Sequence, residues 1–247
     1  MSQNYKFTIS YDGTRYCGWQ SQGNTDATVQ GKLEAVLSKM TADAVELTGA
    51  GRTDAGVHAK AMTANAVLHT GLSTSQIRDY LNTYLPCDIC VLEVREAAPR
   101  FHSRYHATGK TYTYTCYTGP LKPVFDRNYV YILESTPDIN KMREAAEYLT
   151  GEHDFKSFCG NSKFKKSTIR NVDSIQITQE GPYLRLSYHG NGFLQNMVRI
   201  LTGTLLEVGY GKRSPESMIA LLDAKNRKAA GFTAPAQGLC LMKVDYN

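Results

Sequence analysis

The sequence lacks a hydrophobic run long enough to cross a membrane. No apolar stretch in its 247 residues approaches the ~18 residues that a membrane-spanning helix needs. The first residues, Met1–Lys6, also lack the apolar segment of a signal peptide. Apolar residues make up 42% of the chain and charged residues 21%, which is ordinary for a soluble globular protein. We therefore expect a cytoplasmic protein that has no membrane partner.

The sequence also lacks the usual patterns of metal ligands. Its six cysteines are scattered, and Cys87 and Cys90 form the only CxxC pair, whereas a zinc ribbon needs two such pairs. Only His102 and His106 stand at a ligand-like spacing of four, and two neighbouring arginines disfavour a cation there. There is no HExxH motif and no EF-hand loop. The sequence predicts reduced, mostly structural thiols and no metal site.

Motifs for nucleotide cofactors and for serine hydrolases are absent as well. The chain has no Walker A loop, no GxGxxG that opens a helix after a strand, and no GxSxG elbow. We therefore expect no organic cofactor. The net charge of +5 and the pI near 8.8 are mildly basic, which permits a nucleic-acid partner without requiring one.

One stretch, Thr48–Ala59, combines little side-chain bulk with reactive groups. Three glycines and three alanines in twelve residues allow a sharp turn and the close approach of a large ligand. In the middle stand Arg52, Thr53 and Asp54, a carboxylate two residues from a guanidinium. An Asp-containing turn is the simpler interpretation, but a tight turn between two apolar runs needs one glycine and not three. We interpret Asp54 as a reactive acid that is presented to an anionic ligand, and we call the stretch Thr48–Ala59 the Asp54 loop.

Hydrophobic periodicity predicts an α+β fold for the first half of the chain. The predicted elements are a strand from Tyr5, a helix from Val29 to Met40 with Thr28 as N-cap, strands Val45–Leu47 and His58–Leu68, a helix from the capping box Ser73–Gln76 to Pro86, and a strand Ile89–Glu96. The resulting βαββαβ order is the ferredoxin-like pattern, which RNA-recognition modules also use.

The second half repeats this order. The predicted elements are a strand Lys110–Tyr117, a helix from Pro137 and Asp138 to Gly151, strands Thr168–Thr178 and Tyr183–His189, a helix through Leu194–Leu205, a short helix from Ser214, and a last strand Leu239–Tyr246. The boundary between the halves falls within residues 97–109. We place it after residue 104, so that residues 1–104 carry the Asp54 loop and residues 105–247 form the C-terminal half.

Basic and aromatic residues alternate in two patches. The first contains Arg100, Phe101, Arg104, Tyr105, His106 and Lys110, and the second contains Lys163, Phe164, Lys165, Lys166 and Arg170. Cations contact phosphates while aromatic faces stack on unpaired bases. Either patch alone is as well explained by a solvated loop, but two patches beside halves of this pattern favour an RNA partner.

Three further residues have two open interpretations. Tyr112 and Tyr114 point to one face of their strand, where they either fill the core or direct a hydroxyl into a cleft. Arg199 falls inside an otherwise apolar helix, and a buried arginine needs a partner such as Asp54. The alternative is an arginine at a solvent-facing helix margin.

The stretch Gly51–Ala59 resembles the signature of the tRNA pseudouridine synthase A family. Other blocks resemble the family in the same order along essentially the whole chain, namely Tyr11–Thr14 with Gly18–Gln20, Lys110–Tyr114, Gly151–Phe158, Asn191–Gly203 and Ala234–Leu239. Cys240 departs from the pattern, because the family usually has an aromatic residue there.

The resemblance implies an isomerase that converts uridine to pseudouridine at positions 38, 39 and 40 in the anticodon stem-loop of tRNA, without metal or organic cofactor and as a homodimer. It also implies the pseudouridine synthase fold, in which two ferredoxin-like halves share a largely antiparallel sheet with the active site in a central cleft. It gives roles to five residues: Asp54 is the catalytic aspartate, Tyr112 contacts the target uridine, Arg52 holds the flipped-out nucleotide, Arg199 pairs with the aspartate, and Leu239 belongs to the base pocket.

The chemical route stays open at this level. An ionised Asp54 could add to C1′ of the ribose, assist loss of the 2′ proton to give a glycal, or add to C6 of the base. Two other function classes fit the residues less well. A non-catalytic RNA-binding protein does not explain the glycine-alanine frame around Asp54, and a nucleoside hydrolase would release free uracil.

Overall fold

Helices pack with strands that pair mainly antiparallel, which confirms the predicted α+β class. The structure is a computed structural model that describes residues 2–161 and 163–247. The strands in these ranges are β1 (Ser2–Tyr11), β2 (Thr48–Gly49), β3 (His58–His69), β4 (Ile89–Glu96), β5 (Ala107–Tyr117), β6 (Tyr131–Ile132), β7 (Gly151–Asp154), β8 (Ile169–Glu180), β9 (Tyr183–Gly190) and β10 (Leu239–Tyr246). The helices are α1 (Val29–Thr41), α2 (Thr74–Tyr84), α3 (Ile139–Glu147), α4 (Met197–Gly209) and α5 (Ser217–Ala224).

The chain divides into two compact units. The first runs to Thr108 and also includes Leu241–Asn247, and the second is Gly109–Cys240. By this division most of β10, which the sequence places in the C-terminal half, belongs to the first unit. The reason is that β10 lies beside β3 in the sheet.

The first unit has the strand order β4-β1-β3, with β2 and β10 also paired to β3. β1 is antiparallel to both of its neighbours, so that Phe7 stands opposite Ala64 on one side and Val94 on the other. Alternate residues of β1 are buried, as the period of two predicts. Both helix caps are confirmed: the Thr28 hydroxyl accepts the Gly31 N–H, and Ser73 forms a reciprocal capping box.

The predicted strand Val45–Leu47 is wrong, because those residues precede the short strand β2 and belong to no strand. Side chains of α1 take the place of a strand neighbour. Glu34 accepts the Leu47 N–H at 2.9 Å, Gln30 donates to the Leu47 carbonyl at 3.0 Å, and Ser38 accepts the Val45 N–H at 3.0 Å. A backbone that is already hydrogen-bonded gains little from joining the sheet.

The second unit is built on antiparallel pairs in the order β5-β9-β8-β7, with β6 parallel to β5. α3 packs against α4 and β8. Nearly every side chain of α4 is buried, which is typical of a helix that lies in the core.

Some predicted boundaries in the second unit are wrong. α4 begins at Met197 and not at Leu194, because Asn196 adopts a left-handed φ of 57° that interrupts helical geometry. Gly151 does not end α3, which finishes at Glu147; it begins β7 with a φ of 96°. The short strands β6 and β7 have no recognisable sequence signal.

Candidate active site

Asp54 lies half-buried in the loop between β2 and β3, and backbone contacts on both sides hold its position. The residue before it, Thr53, is buried; its hydroxyl lies 2.8 Å from that of Tyr11, and its carbonyl accepts the Trp19 N–H at 3.1 Å. The Asp54 carbonyl itself accepts the Val57 N–H at 3.2 Å. The carboxylate is therefore carried on a turn that has little freedom to move.

Gly18 allows the β1–α1 loop to touch the backbone of the Asp54 loop. Its φ is 98°, and a Cβ at this position would lie 2.6 Å from the Thr53 carbonyl oxygen. Both features exclude a side chain. The two sequence blocks that resemble the family, Gly18–Gln20 and Gly51–Ala59, are therefore in direct contact in the fold.

A second set of contacts ties the same region to the start of β4. The Tyr16 hydroxyl donates to Asp88 at 2.6 Å, and Arg15 donates to the same carboxylate at 2.6 and 2.9 Å. The Tyr16 carbonyl in turn accepts the Gly56 N–H of the Asp54 loop. Burial, and next the hydrogen bond to Asp88, raise the pKa of Tyr16 well above its ordinary value. The phenol therefore stays a donor at neutral pH.

Arg52, the second predicted site residue of the first unit, is exposed. It lies two residues before Asp54 in the same loop.

Tyr112 and Tyr114 lie on β5 in the second unit, and both are buried. The ring of Tyr112 packs edge-on against Phe193, with centroids 5.4 Å apart. The Tyr114 hydroxyl donates to the Pro235 carbonyl at 2.7 Å, so this hydroxyl supports the chain instead of entering a cleft. Burial raises the pKa of Tyr114 far above its ordinary value.

Arg199 is half-buried on α4 and holds the same segment as Tyr114. Its Nε donates to the Ala234 carbonyl at 2.7 Å, and its Nη1 donates to Asn196 Oδ1 at 3.1 Å. Leu239, at the end of this segment, is buried. In the second unit the fold therefore brings Arg199, Tyr114 and the segment leading to Leu239 together. The pairing of Arg199 with Asp54 stays a prediction.

No structural role was predicted from the sequence for the residues that hold the Asp54 loop, although Tyr11, Gly18 and Trp19 stand in blocks that resemble the family. Tyr11 and Thr53 are 42 positions apart, and Tyr16 and Asp88 are 72 apart, so no periodicity links them. Trp19 is a further signal, because it is the only tryptophan in the chain. It is buried and packs near the Tyr11 ring, at 5.9 Å between centroids.

Within the part of the chain that the structure describes, no three His, Cys, Asp or Glu side chains are grouped so that they could hold a metal ion. None of the helices in the ranges 2–161 and 163–247 is both long and apolar enough to span a bilayer.

Comparison with known proteins gives full-length matches. A family model described as tRNA pseudouridine synthase matches residues 8–106 and 145–247. A tRNA pseudouridine synthase A 2 of Clostridium perfringens (strain 13 / Type A) is 44% identical over 246 residues, which cover 99% of this chain and 100% of the relative. A tRNA pseudouridine synthase A of Geobacter sp. (strain M21) is 45% identical over 245 residues, covering 99% of each chain.

Proposed function

Because the chain belongs to the tRNA pseudouridine synthase family, we propose that it acts at positions 38, 39 and 40 of the anticodon stem-loop, with Asp54 as its catalytic carboxylate. The general activity is that of the family: it is an isomerase that converts uridine to pseudouridine in tRNA. The observation that carries the proposal for Asp54 is its position, half-buried on a turn that Tyr11, Gly18 and Trp19 hold from one side.

The reaction detaches the uracil from the ribose and rejoins it to the same ribose through a different atom. The N1–C1′ bond breaks, the uracil rotates, a C5–C1′ bond forms, and the C5 proton is lost while N1 gains one. An ionised Asp54 can start this sequence at C1′, at the 2′ proton or at C6. A carboxylate whose backbone is already fixed loses little entropy when it meets the ribose.

The other predicted residues would handle the nucleotide. We propose that Arg52, exposed beside Asp54, holds the uridine once it has left the stack, a step that costs a few kcal/mol. Tyr112 would stack on the uracil and assist removal of the C5 proton, and Leu239 would contribute to the base pocket. Pairing with Arg199 would favour the ionised form of Asp54. By the same resemblance we propose a cytoplasmic homodimer that uses no cofactor.

Tritium release from tRNA labelled at C5 of uridine tests the proposal. Asp54→Asn should bind tRNA but release no tritium, whereas the matched control Asp79→Asn, an exposed aspartate that pairs with Arg78 on α2, should behave as wild type. Turnover by Asp54→Asn would remove Asp54 from its role. Mapping pseudouridine on the product tests the three positions, and free uracil in the supernatant would indicate a hydrolase instead.

A double-mutant cycle tests the proposed pair of Asp54 and Arg199. If the two side chains interact, the loss of unfolding free energy in the double variant will differ from the sum of the losses in Asp54→Asn and Arg199→Ala by about 1 kcal/mol or more. Additive losses would show that the two side chains act independently.

A further inference from the structure

A groove of about 210 Å³ lies beside the Asp54 loop in the first unit. Its walls carry Trp19, Glu46, Arg52, His102, Arg104 and Tyr105, and we call it the Arg52 groove. Trp19 is one of the lining residues, and Gly49 makes room for its indole: a Cβ at residue 49 would lie 2.4 Å from the indole Nε1. The groove thus opens next to the arginine that stands two residues from the proposed catalytic carboxylate.

The turn that supplies His102, Arg104 and Tyr105 is anchored by Ser103, which is fully buried. The Ser103 hydroxyl donates to the Thr48 carbonyl at 2.6 Å, its N–H donates to Asn65 Oδ1 at 2.8 Å, and its carbonyl accepts the Tyr246 hydroxyl at 2.6 Å. Three side chains of the groove therefore project from a turn that β2, β3 and β10 hold in place.

Internal contacts also orient the histidine of this turn. Nδ1 of His102 accepts the backbone N–H groups of Arg104 and Tyr105 at 3.1 and 3.3 Å. A neutral imidazole that accepts at Nδ1 carries its proton on Nε2. The ring also stacks on Tyr105, with centroids 4.1 Å apart and planes 29° from parallel. His102 thereby steadies a tyrosine that is 77% exposed.

This arrangement suits a nucleotide better than a simple anion. Arg52 and Arg104 supply two cations for phosphate oxygens, while the exposed Tyr105 ring offers a face on which a base can stack. Glu46 adds a carboxylate, which repels an isolated anion but accepts hydrogen bonds from the N–H groups of a base edge. The ring of Phe101, from the same sequence patch, packs against that of Tyr246 with centroids 5.3 Å apart. Tyr105 and not Phe101 therefore lines the groove.

We propose that the Arg52 groove binds a tRNA nucleotide that flanks the target uridine, with its base on Tyr105 and its phosphate on Arg104. This inference rests on the proposed function. It adds a separate binding position: Tyr105, His102 and Arg104 would hold the neighbour while the target uridine meets Asp54. Because the stacking face accepts any base, the groove would tolerate different sequences beside the target.

Affinity for tRNA tests the stacking contact. Tyr105→Ala should raise the Kd, and the KM with it, about tenfold, since one base stack contributes ~1–3 kcal/mol and 1.4 kcal/mol is tenfold. Tyr105→Phe, which keeps the ring, should stay close to wild type. Tyr84→Ala is the matched control, because Tyr84 is also an exposed tyrosine of this unit but lies on α2. An unchanged Kd in Tyr105→Ala would overturn the proposal.

The salt dependence of binding tests the phosphate contact. Arg104→Ala should reduce the slope of log K against log salt by about 0.7–0.9, the value for one phosphate. Arg78→Ala, which removes a partly exposed arginine that pairs with Asp79 on α2, should leave the slope unchanged. Equal slopes for Arg104→Ala and wild type would exclude a phosphate contact there.

A photo-crosslinking phenylalanine analogue at position 105 identifies the nucleotide. Crosslinks should fall on nucleotides next to the modified uridine, and crosslinks confined to other parts of tRNA would overturn the assignment. The activity of the wild type distinguishes failure of the proposed function from failure of the groove proposal. If the wild type releases no tritium from labelled tRNA, the proposed function fails, whereas normal release together with an unaffected Tyr105→Ala variant defeats only the groove proposal.

Discussion

The hydroxyl groups of Tyr11 and Thr53 lie 2.8 Å apart in a buried pair that joins the end of β1 to the residue before Asp54. Both side chains are almost inaccessible to water, so solvent competes little for this contact. The contact therefore links the position of the proposed catalytic carboxylate to the first strand of the sheet.

Tyr11→Phe should lower the free energy of unfolding by about 1–3 kcal/mol, because it leaves a buried hydroxyl without this partner. It should also lower kcat more than it changes KM, since the Asp54 loop loses an anchor but no groove residue changes. Urea unfolding and steady-state tritium release measure the two effects. The pair Tyr11→Phe and Thr53→Val should be less than additive; full additivity would mean that the contact contributes nothing.

Gly18→Ala should destabilise the protein by at least ~2 kcal/mol, since a left-handed backbone costs an L-residue roughly 1–2 kcal/mol and the new Cβ would meet the Thr53 carbonyl. Gly23→Ala in the same loop is the control, because no atom lies within 4 Å of a Cβ there. Thermal melting of both variants makes the comparison. Equal melting temperatures would show that the loop adapts without cost.

Tyr114→Phe removes the hydrogen bond that holds the Pro235 carbonyl at 2.7 Å. We expect a loss of about 1–2 kcal/mol in unfolding free energy and a higher KM for tRNA, because the segment that leads to the proposed pocket residue Leu239 becomes less ordered. Tyr188→Phe, which removes a buried hydroxyl from a pair with Thr202, should cost similar stability without the change in KM. The same KM in all three proteins would argue against a role for this segment in binding.

Stability should fall steeply in the alkaline range. Burial raises the pKa of Tyr246 to about 12, from the ordinary value of 10.0, and burial shifts Tyr16, Tyr114 and Tyr188 in the same direction. The folded state thus favours the neutral phenol more than the unfolded state does. The contribution of Tyr246 to the free energy of unfolding is therefore complete below pH 10 and is lost as the pH rises from about 10 through about 12.

Urea unfolding at several pH values between 9 and 12 measures this loss. Tyr246→Phe should be less stable at pH 9, where it lacks the hydrogen bond to the Ser103 carbonyl, but its stability should decline less steeply above pH 10, because phenylalanine does not ionise. Parallel curves for the two proteins would contradict the assignment of this titration to Tyr246.

Local signals in the sequence predicted much of the fold. The caps at Thr28 and Ser73 and the bounds of β4 and β10 agree with the structure, because caps and period-two alternation depend on neighbours in the chain. The order of the helices and of the longer strands followed from the same signals, whereas the short strands β2, β6 and β7 did not. The Asp54 loop was found because its composition is unusual. Its resemblance to a family motif identified the family that the full-length matches show.

Tertiary structure decided the features whose partners are distant in sequence. Val45–Leu47 has strand-forming residues, but α1 supplies its hydrogen bonds. Phe101 and Tyr105 look alike in the sequence patch, yet one packs on Tyr246 and the other is exposed beside Arg52.

The sequence by itself therefore determined the α+β class, the family and the Asp54 loop, because these depend on residue types and short spacings. The tertiary structure alone decided how that loop is held and which side chains line the Arg52 groove. The physical reason is that a backbone hydrogen bond or a packed ring goes to whichever partner the fold brings near, and Tyr11, Asp88 and Ser103 come near their partners only after the sheet has formed.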